Sequence, residues 1–445
     1  KVWGPIERVA AVADDLRADE ALIAVPSASG KRLREIINAL SQADLPFKTI
    51  PGIDHLVTGR VHVTHLRPVN VEDLLRRERI TLPGDPVRAL FHGKRVVVTG
   101  AGGTIGGELA AQIVAFEPEL LTLVERSEYA LYEIRKRLAR EAPWVTSRIS
   151  SQLLDIADAD VLDALLETQR PHVVLHAAAH KHVPLGEENP PEYIRNNTLA
   201  TRALAENCAR YGVERFVFIS TDKAINPTSV MGASKRAAEV ALLDFEHQTS
   251  MRLTIVRFGN VIGSSGSVIP LFMEQIAAGG PLTVTHPEVT RYFLRTSEAV
   301  SLVLQAATLG TSGGIFMLDM GEPVKIADLA RDIIHLSNHT DDEIPIVFTG
   351  LRPGEKLFEE IRLDGESISP TVHPQIVVTK ASQPDSSNIP LWLRQARSVT
   401  GAEDAKALLR RLVAEYVPSD AAPEKGRRKE DAAARKLVVV DGRSA

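Results

Sequence analysis

Three consecutive residues, Thr221, Asp222 and Lys223, set a hydroxyl, a carboxylate and an amine side by side, and Lys235, on a helix-compatible stretch with Ala238 and Glu239, adds a second amine. At the end of one strand these groups form an acid–base set able to move protons on and off a substrate. A lone lysine reads equally as a solvated helix face; its place after a predicted strand favours the site. A second chemistry, anion binding, is written in Arg95–Gly107, RVVVTGAGGTIGG. There a β-branched run falls into Gly100, Gly103 and Gly106 and then into a helix start. Gly100 permits a turn that side chains resist, Gly103 lets the backbone approach a pyrophosphate, and Gly106 lets helix and strand pack closely. The freed N–H groups and the helix dipole favour an anion at that spot.

Further ligand chemistry follows the other apolar runs. Glu125 ends the run Leu120–Val124, about 20 residues after the last glycine, where a carboxylate chelates a ribose diol. Arg126 beside it would instead hold a 2′-phosphate, so the pair favours NAD and leaves NADP open. Asp155 and Ile156 can accept from an adenine amino group and pack on its face, or cap a helix. Ala177, Ala178 and Ala179 are small enough for a ribose to lie against backbone. His180-Lys181-His182 has no carboxylate or cysteine at ligand spacing, so no metal site is expected. Asn197 is assigned a buried structural hydrogen-bonding role. Asn260 and the run Gly263 to Ser267 offer donors to a second anionic ligand, and Arg291 and Arg352-Pro353-Gly354-Glu355-Lys356 add guanidinium groups suited to phosphate. Two arginine motifs beyond a dinucleotide fold point to a diphosphate-bearing ligand.

To hold these groups, strands must alternate with helices. From Lys94 the strands are read as the opening valine run, Leu120–Val124, Ser151–Leu154, Val173–His176, Phe216–Ser220 and Leu253–Phe258, with the polar residues following each. That pattern predicts an α/β fold: a doubly wound parallel, Rossmann-type sheet with right-handed crossovers, and a smaller C-terminal substrate-binding subdomain. Residues 1–80 read as a separate small α/β domain: strand Ala21–Val25, a helix Lys31–Leu40 with Leu33, Ile36, Ile37 and Leu40 on one side, strand Phe47–Ile50, and a charged helix Val71–Arg79. The turn Pro26–Gly30 reads as a loop with an N-cap, or as an anion site. Residues 81–93 are assigned as linker, 94–365 as the catalytic domain, 366–417 as a C-terminal extension and 418–445 as a disordered tail.

Composition agrees with a globular chain: 445 residues, 44% hydrophobic and 24% charged, are enough for about two or three domains. A net charge of -5 gives no reason to expect a nucleic-acid partner. The single cysteine, Cys208, excludes an internal disulfide and a cysteine zinc cluster, and suits a reducing compartment. No apolar run reaches the ~18 residues of a membrane span.

The runs VTGAGGTIGGEL, HAAAHKHVPL, STDKAINPTSVMGASKR, VRFGNVIGSSGSVIPLF, THPEVTRYF, LDMGEPVKI and TGLRPGEKL, in order from about residue 90 to 360, resemble the extended short-chain dehydrogenase/reductases. More closely they resemble the membrane-anchored polysaccharide-biosynthesis 4,6-dehydratases that act on UDP-N-acetylglucosamine. The resemblance implies a tightly held, recycled NAD, with NADP possible, and a UDP-N-acetylhexosamine substrate converted to a UDP-4-keto-6-deoxy sugar. It also implies a homo-oligomer at the cytoplasmic side of the plasma membrane, this chain being the soluble part of a protein whose N-terminal membrane helices precede Lys1. Carried onto these residues, Asp222 protonates the departing C6 hydroxyl, Lys223 is the base at C5, Thr221 holds the C4 oxygen and Lys235 binds the nicotinamide ribose. Thr104, Ile105 and Ser127 join the cofactor set, and Lys181, Asn260, Ser267, Arg291, Arg352 and Glu355 the substrate set.

One departure from the wider superfamily is chemical. The usual tyrosine four residues before the lysine is Met231, which cannot exchange a proton. The membrane-anchored branch shares this methionine, and its soluble C5-inverting relatives keep the tyrosine, so retention at C5 is expected. The C4 proton must then leave through Asp222 or through a water held by Thr221 and Lys235. Smaller departures are Gly107 for a common serine, Gly186 for a common methionine, and the LRTSEA run after Phe293. A UDP-sugar 4-epimerase needs no acid for C6, and a non-catalytic dinucleotide sensor needs neither Asp222 nor Lys223; these are the competing readings.

Overall fold

Continuous apolar runs bounded by polar turns become strands buried on both faces, as parallel sheets require. The computed structural model describes residues 2–25, 28, 30–43, 45–49, 69, 73, 85–264, 266–309, 314–337, 339–363, 366–380 and 388–419. Its strands are β1 (Ala21–Ile23), β2 (Phe47–Thr49), β3 (Arg95–Thr99), β4 (Leu120–Glu125), β5 (Ile149–Leu153), β6 (Val173–His176), β7 (Arg215–Ile219) and β8 (Arg252–Arg257). There follow β9 (Asn260–Val261), β10 (Leu282–Val284), β11 (Thr290–Arg291), β12 (Phe293–Leu294), β13 (Gly314–Leu318), β14 (Val324–Lys325), β15 (Ile346–Phe348), β16 (Ser367–Pro370) and β17 (Ile376–Lys380). The main sheet has nine strands in the order β16-β17-β13-β8-β7-β6-β3-β4-β5. From β13 to β5 every pairing is parallel, and β17 and β16 extend the far edge antiparallel.

The order places the site. From β3 the chain winds outward through β4 and β5, then returns to lay β6 on the other side of β3. That reversal opens a crevice at the carboxyl ends of β3 and β6, where such sheets bind ligands. At its base His176 is fully buried, bridging the hydroxyls of Thr99 and Thr201 at 2.7 and 2.8 Å. Burial, helped by the Lys235 charge, pushes it down to about 3, so it stays neutral.

A second lobe, built on β10 paired with β15 and β11 paired with β14, has its own core of Phe272, Leu282, Leu329 and Ile333. The segment read as a C-terminal extension supplies β16 and β17 to the main sheet and two helices, Ile389–Ala396 and Ala402–Leu412, whose Trp392, Leu408 and Leu409 pack with Val230 and Met231. Consequently the whole Val230–Glu246 helix is buried.

In the N-terminal unit β1 and β2 pair parallel around the Gly30–Gln42 helix, which buries Leu33, Ile37 and Leu40, with Ile36 partly buried. The linker reading is corrected over part of its length: Asp85–Phe91 is a helix, because Val87 and Phe91, one turn apart, both reach the core beside the sheet. Residues 81–84 of that linker, the predicted Val71–Arg79 helix except for Asp73, and the tail beyond Ser419 lie outside the described residues. Among the described residues no helix is long and apolar enough to cross a membrane.

Candidate active site

β3 ends at Thr99 and the chain turns at Gly100 with φ +65°, so close to β6 that a Cβ would lie 2.7 Å from the Ala178 backbone nitrogen. The third glycine of the motif is needed inward, since a Cβ on Gly106 would come within 2.0 Å of the Gly100 carbonyl oxygen. Gly103 begins the Thr104–Val114 helix and faces outward, meeting only the Gly100 oxygen at 3.3 Å, which leaves room for a phosphate to approach. Gly102, not singled out from the sequence, is constrained as well: a Cβ would lie 2.5 Å from that of Ala130, and its N–H donates to Glu125 Oε2 at 3.1 Å. Glu125 also accepts from the N–H groups of Arg126 and Ser127 at 3.0 and 3.1 Å. Ser127 in turn caps the Glu128–Glu141 helix.

Gly100, Gly103, Glu125, Arg126, Asp155, Ile156, Ala177 and Ala178 line one cleft, together with Asn196 and His180, which the sequence reading had not placed there. Thr104, Ile105 and Ser127 are not among the lining residues and act on it through the two helix starts. Backbone donors at a helix start, a carboxylate opposite and small residues along β6 fit the phosphates, ribose and adenine of a dinucleotide. Asn197 has its expected role: it accepts from the His180 N–H at 2.8 Å and donates to the His180 carbonyl and to Ser234 Oγ, both at 3.0 Å.

At the end of β7 the chain is pinned to β8, Ser220 N–H to Val256 O at 2.8 Å and Asp222 N–H to Phe258 O at 3.1 Å. Thr221 Oγ1 donates to Asp222 Oδ1 at 2.9 Å and accepts from the Lys223 N–H at 3.3 Å. Lys223 Nζ donates to Asp222 Oδ1 at 3.0 Å and to Asn260 Oδ1 at 2.9 Å. Asp222 is fully buried, and its Oδ2 has no partner. Burial lowers the Lys223 pKa, but the Asp222 and Glu359 carboxylates outweigh it and the opposing Arg291, so it ends above its ordinary value.

The second lobe supplies the other side of this cluster. Arg291, from β11, donates to Glu355 Oε1 at 2.9 Å, and Glu355 Oε2 accepts the Arg352 N–H at 3.3 Å. The Arg352 side chain is exposed. Across the cleft Gly266 packs on the His182 ring, bringing the loop before Ser267 to the strand end that carries Lys181; Ser265 lies outside the described residues. Ser267 Oγ is buried without a partner, and burial pulls the Lys181 amine down.

Lys235 is set behind the strand end. Its Nζ donates to the Ile219 carbonyl at 2.5 Å and lies 4.0 Å over the Phe218 ring, and it does not line the dinucleotide cleft. Burial, partly opposed by Glu239, pushes it down to about 7. Met231 is buried with Tyr193, Val230 and Trp392, where no proton can pass through it. Two buried carboxylates have no role assigned to them in the sequence reading. Glu239 accepts from Ser220 Oγ at 2.6 Å and from Arg257 Nε at 2.8 Å, holding the turn from beneath. Glu359 lies 3.6 Å from Lys223 Nζ; its only signal was a second glutamate one turn's spacing beyond Glu355.

The family described as "Polysaccharide biosynthesis protein" matches residues 96–381. The chain is 42% identical over 388 residues to "Probable polysaccharide biosynthesis protein EpsC" of Bacillus subtilis (strain 168), covering 86% of this chain and 64% of that protein. It therefore spans under two thirds of that relative. It is 31% identical over 275 residues to "UDP-N-acetylglucosamine 4,6-dehydratase (inverting)" of Campylobacter jejuni, covering 61% of this chain and 78% of the relative. Among solved structures, Pen from Bacillus thuringiensis superposes with a TM-score of 0.61 at 30% identity over 66% of this chain and 91% of that one. DesIV, a dTDP-glucose 4,6-dehydratase from Streptomyces venezuelae with NAD and TYD bound, superposes with a TM-score of 0.53 at 21% identity over 60% and 88%, a likeness of fold.

Proposed function

The chain belongs to the polysaccharide biosynthesis protein family, and on that footing we propose that it is a C5-retaining 4,6-dehydratase of UDP-N-acetylglucosamine. The observation that carries this reading is the pairing of buried Asp222 with half-buried Lys223, 3.0 Å apart at the end of β7 and faced by Asn260 and Arg291. The dehydratase among its relatives and the dinucleotide-shaped cleft support it. A nicotinamide dinucleotide held by the glycine turn, Glu125, Arg126, Asp155, Ile156, Ala177 and Ala178 supplies a hydride acceptor that returns what it takes; NAD is favoured by the Glu125 carboxylate and supported by the NAD of DesIV.

The chain's own groups then handle the protons. Thr221 holds the C4 oxygen, and Lys235, poised near neutrality beneath it, receives the C4 proton through a bridging water, a route Met231 cannot offer. A ketone at C4 acidifies the C5 proton. Lys223 begins as an ammonium; passing one proton to Asp222 leaves an amine to take the C5 proton and a carboxylic acid to protonate the departing C6 hydroxyl. Both groups thus reach their working forms in one transfer. Once the hydride is back at C6, Lys223 returns a proton to C5, giving UDP-4-keto-6-deoxy-N-acetylhexosamine with one water lost and no net oxidation.

Incubation with UDP-N-acetylglucosamine in deuterated water should yield a product lighter by one water, before label is counted, that carries deuterium at C5. A product of unchanged mass would mean epimerisation, and binding of cofactor with no turnover would mean a sensor. Asp222→Asn should lower kcat by about 10²- to 10⁴-fold, the usual worth of a positioned acid. Full turnover by that variant would remove Asp222 from the chemistry.

A further inference from the structure

Between the acid–base trio and Arg291 lies a carboxylate that neither accounts for. Glu359 is buried, and its Oε1 stands 3.6 Å from Lys223 Nζ and 3.7 Å from Arg291 Nε. Its Oε2 is buried with no hydrogen-bond partner, and so is Asp222 Oδ2 on the other side of Lys223. Lys223 is thus faced by Asp222 and Asn260 from the main sheet's end and by Glu359 from the second lobe, with Arg291 beyond. Glu355 closes the cluster on Arg291.

The charges do not cancel. Lys223 and Arg291 oppose Asp222, Glu355 and Glu359, so the ionised cluster carries one more negative than positive charge. Carboxylates buried for packing alone find donors for both oxygens. Here two of them each keep an oxygen bare beside the same amine, as groups do that await a proton or a substrate hydroxyl.

We propose that Glu359 is a positioning residue for the reaction, clamping Lys223 against Asp222 and linking the charge of that amine to Arg291 through one shared carboxylate. The role rests on the dehydratase reading, but Glu359 acts on Lys223 before any sugar arrives. Its removal frees Lys223 to lose its proton at lower pH, because an opposite charge within about 4–6 Å favours the charged form.

The experiment is competitive acetylation of the full chain without sugar nucleotide, with Lys223 quantified by mass spectrometry across pH. Only the neutral amine reacts, so the midpoint reports its protonation. In Glu359→Gln the midpoint should fall by about one pH unit, and Glu359→Asp, which keeps the charge, should restore it. With substrate, kcat of Glu359→Gln should fall about tenfold or more and its high-pH limb should move down with the midpoint, since the reaction starts from the Lys223 ammonium. An unmoved midpoint in folded Glu359→Gln overturns the proposal, whatever its activity. If Glu359→Gln does not fold, Arg291→Gln gives the second test: losing the opposing cation should raise the Lys223 midpoint, and an unchanged value is equally fatal. A wild type that labels as expected but forms no dehydrated sugar would sink the functional reading and leave the clamp standing.

Discussion

Lys235 carries its function at a thermodynamic cost that can be measured by itself. Its amine ordinarily titrates at 10.5, and burial brings it to about 7 in the fold. Between those values the unfolded chain binds the extra proton, so stability rises with pH across that window, and the penalty is complete below about pH 7. Lys235→Met should therefore stabilise the protein near pH 6.5, by on the order of 2 kcal/mol after loss of the Ile219 contact, and much less at pH 10. Turnover should fall about 10²-fold or more. Equal shifts in Tm at the two pH values would show that the buried amine is not the source. The trio Thr221–Lys223 was legible in the sequence because contiguous polar residues after an apolar run can only sit at a strand end. Glu359 was not, because what makes it important is a neighbour 136 positions earlier, Lys223, brought to it by the second lobe.

The glycine turn separates two uses of the same residue type within one element. A Cβ at Gly106 would sit 2.0 Å from a backbone oxygen, which cannot swing aside, whereas at Gly103 the nearest contact is 3.3 Å and the space beyond is open. Gly106→Ala should force the Thr104–Val114 helix off β3, cost about 3 kcal/mol or more and lose the cofactor. Gly103→Ala should keep the fold to within about 1 kcal/mol yet still release cofactor, because the methyl occupies the phosphate's approach. Melting curves and the dinucleotide freed on denaturation distinguish the two; a common loss of Tm would contradict the assignment. Strands β3 to β8 were readable to within one or two residues, because unbroken runs such as Val96–Val98 leave few other conformations. The antiparallel addition of β17 to β13 was not, since pairing of segments about 60 residues apart leaves no local pattern.

At the scale of the whole molecule the N-terminal unit is tied, among the described residues, to the second lobe. Arg34, on the Gly30–Gln42 helix, donates to Asp332 on the Ile326–Leu336 helix at 2.6 Å. The strand–helix–strand pattern of this unit was legible, but its dock was not: an arginine on the polar side of an amphipathic helix looks solvated until its partner is found. Asp332 is buried, and burial raises its pKa above the ordinary 3.8 although Arg34 opposes this. As pH rises through that raised value the fold must hold a buried charge, stability falls, and Arg34 matters more. With Arg34 29% exposed, solvent weakens the pair, so Arg34→Ala should cost about 1–2 kcal/mol near pH 7 and little once Asp332 is protonated in folded and unfolded chains alike, below about 3.8. Hydrogen exchange reads this locally: amides of the Gly30–Gln42 helix should lose about tenfold protection at pH 7, with those of β3 and β6 unchanged. Loss spread evenly over the sheet would show that the unit is part of one cooperative body, and no loss at all that the pair does not hold the dock.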